Sequence, residues 1–505
     1  MTRARALLIG VVMLSAPMGG CLLSSDTASD QASNWTEDGD SGPGLTATLG
    51  DPDTSGADDW PGPFDNDPET YDLDDDGIQE VIAHSNDADV HIYDPQSGTE
   101  LATLSPHYPP AWHIQRILNS PAAAVMEPGQ PPTVVVTNHA GYVSAWQVNP
   151  DAGGEDEIAF DKRWENRLTN CNDSPSMDAG PVLADLDGDD TLEILVQTEE
   201  QGIYGLDTDG STMWNHCWGA GNAEPVATDL AGEGSVEAVF ASDAGLITVF
   251  DAASGNPLWT FDAAEHMDPA SVTVAPTVAD LDGEEPKEIL FTARNATHDV
   301  EGQYDRNRMG IFAIHGDRTN GSSELVWLRE PAWANPMSYT RLVVDDVDDD
   351  GSPDIFGMDW NTIGHRPGNW ERLGPAHVFR LDATGDDVWM REIDTWWSNQ
   401  NIVLGDFDPD PDQELLLNAP VDGNDGVWRL STEDGRAEGF LSLHPWKMLR
   451  APHPVDVDGD DTVELITPVR PADESLERGA LLVHDLAVPL NATLPAPRQV
   501  QPIED

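Results

Sequence analysis

An all-β fold, a β-propeller of about eight (alternatively seven) four-stranded blades, is what this 505-residue sequence predicts. Three observations lead there. An acidic nonapeptide recurs along the chain. Several copies carry a proline four residues before the first acid. Each copy is followed by short apolar runs and Gly/Asp turns, with no helical periodicity of any length.

The first copy runs from Asp72 to Glu80 (DLDDDGIQE). It recurs as DLDGDDTLE from Asp185, DLDGEEPKE from Asp280, DVDDDGSPD from Asp346, DFDPDPDQE from Asp406 and DVDGDDTVE from Asp456. A worn copy, DLAGEGSVE, starts at Asp229, and VMEPGQPPT from Val125 keeps the flanks without the acids. Pro181, Pro225, Pro276 and Pro452 occupy the position before the loop where proline can open a strand. Short apolar runs such as EVIAH, EILVQ and EILFT follow. A second β-rich run with a central turn then closes each unit, as in GLITVFDAASGNPLWTF from Gly245. Four short strands per unit make a blade. Trp214, Trp259, Trp327 and Trp389 recur in the fourth strand and are expected to pack between blades.

These loops resemble the FG-GAP/VCBS repeats of integrin α-subunit propellers and of many bacterial surface proteins. The likeness extends from about residue 62 to 495. The FG and GAP signatures themselves are mostly absent, and the integrin ring has seven blades where this chain shows eight units.

Calcium takes six to eight oxygen ligands, and alternating Asp side chains in a tight loop point at one centre. The candidate ligands are Asp72, Asp74, Asp76 and Glu80; Asp185, Asp187, Asp189 and Glu193; and Asp280, Asp282, Glu284 and Glu288. Three further sets are Asp346, Asp348, Asp350 and Asp354; Asp406, Asp408, Asp410 and Glu414; and Asp456, Asp458, Asp460 and Glu464. Acidic residues also make polar turns without metal. Six loops, each with four acids in nine residues, would repel themselves severely without a cation. Several Ca²⁺ sites, mainly structural, are the expectation. In the worn copy Ala231 replaces the second acid, so little or no metal is expected there.

At the N-terminus Arg3 and Arg5 precede an apolar stretch, Ala6 to Met18, too short to span a bilayer. Residues 1–20 read as a signal peptide. Met18-Gly19-Gly20-Cys21 resembles a lipobox, which implies lipidation of Cys21 and an exported protein anchored to the outer face of a membrane, although the usual residue at position 18 is Leu. Residues 21–60 are rich in Ser, Asp, Thr and Gly and read as a flexible acidic tether, leaving 61–505 for the propeller. Cys171 and Cys217 remain, 46 residues apart, close to one repeat. Neighbouring blades can bring them together as a disulfide in an oxidising compartment, and two buried thiols are the alternative.

The chain carries 93 Asp plus Glu against 24 Lys plus Arg, a formal charge of −69. Such a surface repels nucleic acid and anionic lipid, which excludes both as partners apart from the lipid anchor itself. In a propeller the first-to-second strand loops lie on one face and the second-to-third loops on the other. The long second-to-third loops concentrate Arg294 and His298, then Trp360, His365, Arg366, Trp370 and Arg372. Scarce cations and tryptophans on one rim mark a ligand face for a glycan or a cell-surface protein. The same residues would serve equally to plug the channel and satisfy local acids.

The first functional expectation is a calcium-stabilised extracytoplasmic binding or adhesion module, without catalysis. No Ser/His/Asp, HExxH or phosphate-loop pattern appears. The alternative is a calcium-dependent polysaccharide lyase or related carbohydrate enzyme, since some lyases resemble this repeat. Quinone-cofactor dehydrogenases share eight blades and strand tryptophans, but characteristically use an adjacent Cys-Cys pair that is missing here.

Overall fold

The computed structural model describes residues 44–50 and 67–489, apart from intervening segments of which 108–118, 296–307, 317–323, 334–340, 394–401 and 472–478 are the longest. Antiparallel sheets follow one another along the chain as eight blades. Blade one comprises Glu69–Tyr71, Glu80–His84, Val90–Tyr93 and Glu100–Leu104, in that order across the sheet. Blades two to seven repeat the order, beginning at Ala122–Ala124, Val182–Ala184, Val226–Thr228, Thr277–Ala279, Val343–Asp345 and Val403–Gly405. Pro181, Pro225, Pro276 and Pro452 stand directly before first strands, where a missing N–H costs no ladder bond. In blades one to six these three-residue strands approach their counterparts in neighbouring blades, which places them innermost.

Second strands such as Glu80–His84, Glu193–Thr198 and Glu237–Ala241 are buried throughout. That is why they read as continuous apolar runs: a sheet sandwiched between two others has no wet face. The core is correspondingly divided into eight apolar clusters, each spanning one pair of neighbouring blades. One of them joins Val81, Ala83 and Tyr93 of blade one to Val455, Val457, Ile466, Leu481 and Val483 of blade eight. The ring therefore closes at eight blades, and the seven-blade alternative falls.

Closure uses both ends of the chain. Blade eight contains His453–Val455, Thr462–Pro471 and Ala480–Pro489, and its outer strand is Gly44–Leu49. This corrects the expectation of a tether through residue 60. Residues 44–49 are β-structure because Ala47 and Leu49 bury their side chains in the blade-eight/blade-one cluster, and because the Ala480–Pro489 edge needs a partner. Thr46 also donates its hydroxyl to the Val483 carbonyl at 3.1 Å. The signal segment and Cys21 lie outside the described residues.

Tryptophans join blade to blade by one repeated contact. Trp164, Trp214, Trp327 and Trp389 each stand in a fourth strand. Each indole N–H donates to a carbonyl in the third-to-fourth turn of the next blade: Thr208 at 2.8 Å, Ala252 at 2.8 Å, Ala383 at 3.0 Å and Thr432 at 2.8 Å. Trp214 and Trp389 are nearly buried, as is Trp259. A disulfide joins Cys171 to Cys217, just beyond the fourth strands of blades two and three.

Candidate functional site

Every acidic nonapeptide connects a first strand to a second strand, so all of them open on one face of the ring. The loop conformation is encoded by its own acids and by two left-handed positions. In blades one, three and six the fourth and sixth residues take positive φ, and the chain fills them with Asp and Gly in either order: Asp75 and Gly77 in blade one, Gly188 and Asp190 in blade three, Asp349 and Gly351 in blade six. The first acid then accepts backbone N–H groups across the loop. Asp72 accepts from Asp76 at 3.2 Å and Gly77 at 3.1 Å, and Asp185 from Gly188 at 2.6 Å and Asp190 at 3.0 Å.

The last acid opens the second strand, yet it turns back into the loop. Glu80, Glu193, Glu288, Glu414 and Glu464 accept the backbone N–H of Leu73, Leu186, Leu281, Phe407 and Val457 at 2.7–2.9 Å. Those apolar partners are themselves buried and anchor the loop to the core.

The result is a convergent carboxylate triad from the first, third and ninth positions. Oxygens of Asp72, Asp74 and Glu80 lie within 4.8 Å of one another, as do those of Asp185, Asp187 and Glu193, of Asp280, Asp282 and Glu288, and of Asp406, Asp408 and Glu414. Oxygens bound to one calcium at 2.3–2.6 Å fall within about that separation. The fifth-position acids Asp76, Asp189, Glu284 and Asp410 lie outside these triads. Asp76, Asp189 and Asp410 instead accept the N–H two residues on, from Ile78, Thr191 and Asp412. In blade eight Asp460 does the same with Thr462, while Asp458 Oδ1 is buried with no hydrogen-bond partner among the described residues.

Electrostatics favour a cation at these points. Burial, joined by the charges of Asp74 and Asp76, pushes the Glu80 carboxyl up to about 8 against the pull of the Leu73 N–H. Burial and the charges of Asp458, Asp485 and Asp456 push Glu464 up to about 7. Glu193 and Glu288 are raised as well, again chiefly by burial. Glu80 and Glu464 have lost water without a basic group among the causes of their shift, whereas Glu288 meets His315 Nδ1 at 2.9 Å.

The worn loop of blade four separates folding from ligation. Asp229 accepts from Glu233 and Gly234, and Glu237 from Leu230, as in the other loops, although Ala231 supplies no carboxylate. The third-position acid is thus not needed to form the turn. It is retained where a triad is built.

Blades six and seven differ. In blade six the clustered oxygens belong to Asp346, Asp348 and Asp350, and Asp354 is drawn away by Arg380. In blade seven Arg429 reaches Asp408. Neither arginine was marked by the repeat. The available signal was a basic residue in a third strand at a position that is Ile92, Gly205, Val249, Ala313 or Val483 in other blades.

On the opposite face, Arg294 is a half-buried strand residue paired with Met309, not a loop residue. His298 and Trp360 lie outside the described residues. His365, Arg366, Trp370 and Arg372 belong to a two-stranded hairpin, Thr362–Arg366 with Asn369–Arg372, inserted between the second and third strands of blade six. The sequence signal for a hairpin was the Pro-Gly pair, 367–368, between the two runs.

The closed ring of four-stranded sheets defines the class: an eight-bladed β-propeller. No protein-family model and no curated protein matches the chain. Among solved structures it is similar to BamB from Moraxella catarrhalis, at 15% identity and TM-score 0.50, over 88% of this chain and 99% of that one. It is also similar to the V. cholerae biofilm matrix protein Bap1, at 14% identity and TM-score 0.57, over 88% and 91% of the two chains. The quinohemoprotein alcohol dehydrogenase ADHIIG from Pseudomonas putida HK5 aligns at 13% identity and TM-score 0.53, over 92% and 78%. At such identities the likeness establishes the fold alone.

Proposed function

We propose that this chain is an exported, lipid-anchored propeller of FG-GAP/VCBS type, stiffened by calcium, that binds a glycan or a cell-surface protein on the face opposite its acidic loops. The observation that carries the calcium reading is the coupling of the loops to the blade joints. The residue beside the final acid donates its backbone N–H to the preceding blade's loop: Gln79 to Val457 at 2.8 Å, Leu192 to Met126 at 2.8 Å, and Lys287 to Leu230 at 3.0 Å. Asp72, Asp74 and Glu80, with their counterparts in blades three, five and eight, would hold the ion. A bound ion supplies the missing counter-charge and fixes both the hairpin and the joint beside it.

The opposite face owes nothing to that scaffold role. The blade-six hairpin stands outside the four-stranded sheet, and it carries Arg366, Trp370 and Arg372 in a chain that has few cations. Tryptophan offers a flat apolar face for sugar rings or an interface anchor, and arginine a forked donor for carboxylate or sulfate. Two measurements test the reading. Chelation should lower the melting midpoint by many degrees, because ligand bound to the native state adds stability. On a glycan array with calcium, the alanine triple variant of Arg366, Trp370 and Arg372 should lose binding while keeping its calcium content and midpoint. An unchanged midpoint after chelation would sink the calcium role, and release of unsaturated sugars would overturn the non-enzymatic reading.

A further inference from the structure

We infer that the acidic loops of blades six and seven are closed by the protein's own arginines and take no calcium, which rests on the reading of the other loops as calcium sites. Arg380 lies in the third strand of blade six. Its Nη2 is 2.7 Å from Asp348 Oδ2 and 2.6 Å from Asp354 Oδ2, and its Nε donates to Asp354 Oδ1 at 2.7 Å. Both oxygens of the ninth-position acid are thereby engaged. This is the one acidic nonapeptide whose ninth residue is Asp rather than Glu, and the shorter side chain leaves room for the guanidinium. Arg429 occupies the equivalent place in blade seven. Its Nη2 is 2.8 Å from Asp408 Oδ2, and its Nη1 donates to the Phe407 carbonyl at 3.4 Å.

The two arginines are equivalent by register. Arg380 pairs with Phe356 and Arg429 with Leu416, each two residues after the ninth-position acid. Side chains two apart on a strand share a face, so both point toward the loop. In the other blades the same register position holds Ile92, Ala145, Gly205, Val249, Ala313 and Val483, none of which carries charge.

Burial makes these cations permanent parts of the loops. The Arg380 side chain is 8% exposed and that of Arg429 is 0% exposed. A guanidinium cannot be deprotonated, and leaving it buried without its carboxylate would be strongly destabilising. Calcium would have to displace it from Asp348 or Asp408, or share that carboxylate with a positive charge in contact. Arg380 Nη1 also donates to the Thr432 carbonyl at 3.3 Å, the same oxygen that accepts from Trp389. The guanidinium thus spans the joint between blades six and seven, the role assigned to the ion elsewhere.

Bound calcium per chain, counted by equilibrium dialysis against calcium chloride, tests this on the full chain. Asp74→Asn should lose one ion, and Asp348→Asn none. Arg380→Met and Arg429→Met should each gain one ion, and their melting midpoints should drop in chelator and recover in calcium. Loss of an ion in Asp348→Asn overturns the inference and leaves the calcium reading of the other loops intact. No gain of an ion in folded Arg380→Met does the same. If the wild type binds no calcium and Asp74→Asn is unchanged, the calcium reading falls. An ion gained in Arg380→Met would then sustain the arginine inference by itself, and none gained would end it too.

Discussion

Replacing Trp214 or Gly255 perturbs one blade joint from its two sides. Trp214 of blade three is 8% exposed and donates to the buried Ala252 carbonyl of blade four. Its ring stacks at 6.0 Å from Phe250 and meets Phe240 edge-on at 6.4 Å. Trp214→Ala removes this packing and should cost about 3–5 kcal/mol. Trp214→Phe keeps most of the apolar area but orphans the carbonyl, for a loss of about 1–3 kcal/mol. Gly255 sits at φ +66 in the receiving turn, and a Cβ there would lie 2.3 Å from Trp214 Cγ. The indole is rigid and held on both faces, so Gly255→Ala should cost about 1 kcal/mol for the backbone and a further 1–3 for overpacking. Gly129, at φ +77 with nothing within 4 Å, provides the backbone-only control. Combining Gly255→Ala with Trp214→Ala should abolish the overpacking part, giving a coupling of about 1–3 kcal/mol. Guanidinium unfolding followed by circular dichroism, which does not depend on the lost fluorophore, measures all five proteins with the wild type. Additivity within about 0.5 kcal/mol, or a Gly255→Ala cost equal to that of Gly129→Ala, would refute the contact as the joint between these blades.

Burial alone would lower His91, but its hydrogen bonds to Asp87 at 3.0 Å and Glu100 at 2.9 Å, with their charges, push it up to about 9. The folded chain therefore binds more protons than the unfolded chain, and the stabilisation is complete below about pH 6.5 and lost as pH rises through about 9. His91→Gln should flatten the melting midpoint across that window and remove on the order of 3 kcal/mol at its acid end; a wild-type profile in the variant would show that the triad does not titrate as described. Truncation through residue 50 should lower the midpoint by many degrees relative to truncation through residue 43, because only the former removes the closing strand Gly44–Leu49; equal midpoints would mean that blade eight does not need it. Cys21→Ala should move the protein from the membrane fraction to the soluble fraction, and retention would show a different anchor.

Most of the fold was legible in the sequence because a propeller is built from local repeats. The nonapeptides encode their own turns through residues at most nine apart: in blades one and three the first acid caps the loop, Asp and Gly take the left-handed positions, and the ninth acid bonds back to the second residue. The prolines before first strands and the tryptophans in fourth strands are likewise read one blade at a time. Those features determined the strand order, the face on which the acids gather, and the packing role of Trp214.

Tertiary structure alone decided what depends on neighbours distant in sequence. Gly44–Leu49 has a composition that reads as tether, and it becomes a strand because the Ala480–Pro489 edge, more than 400 residues later, supplies its ladder and a pocket for Leu49. The blade count was open at seven or eight until one apolar cluster joined Val81 to Val483. Six acidic loops looked alike in the sequence. The difference between them lies in Arg380 and Arg429, which sit 26 and 15 residues beyond their loops' last acids and reach them only through strand register. A repeat discloses what each blade shares, because local bonding makes it. Closure, and the charge that fills each loop, arise across strands and between chain ends, where sequence spacing carries no distance.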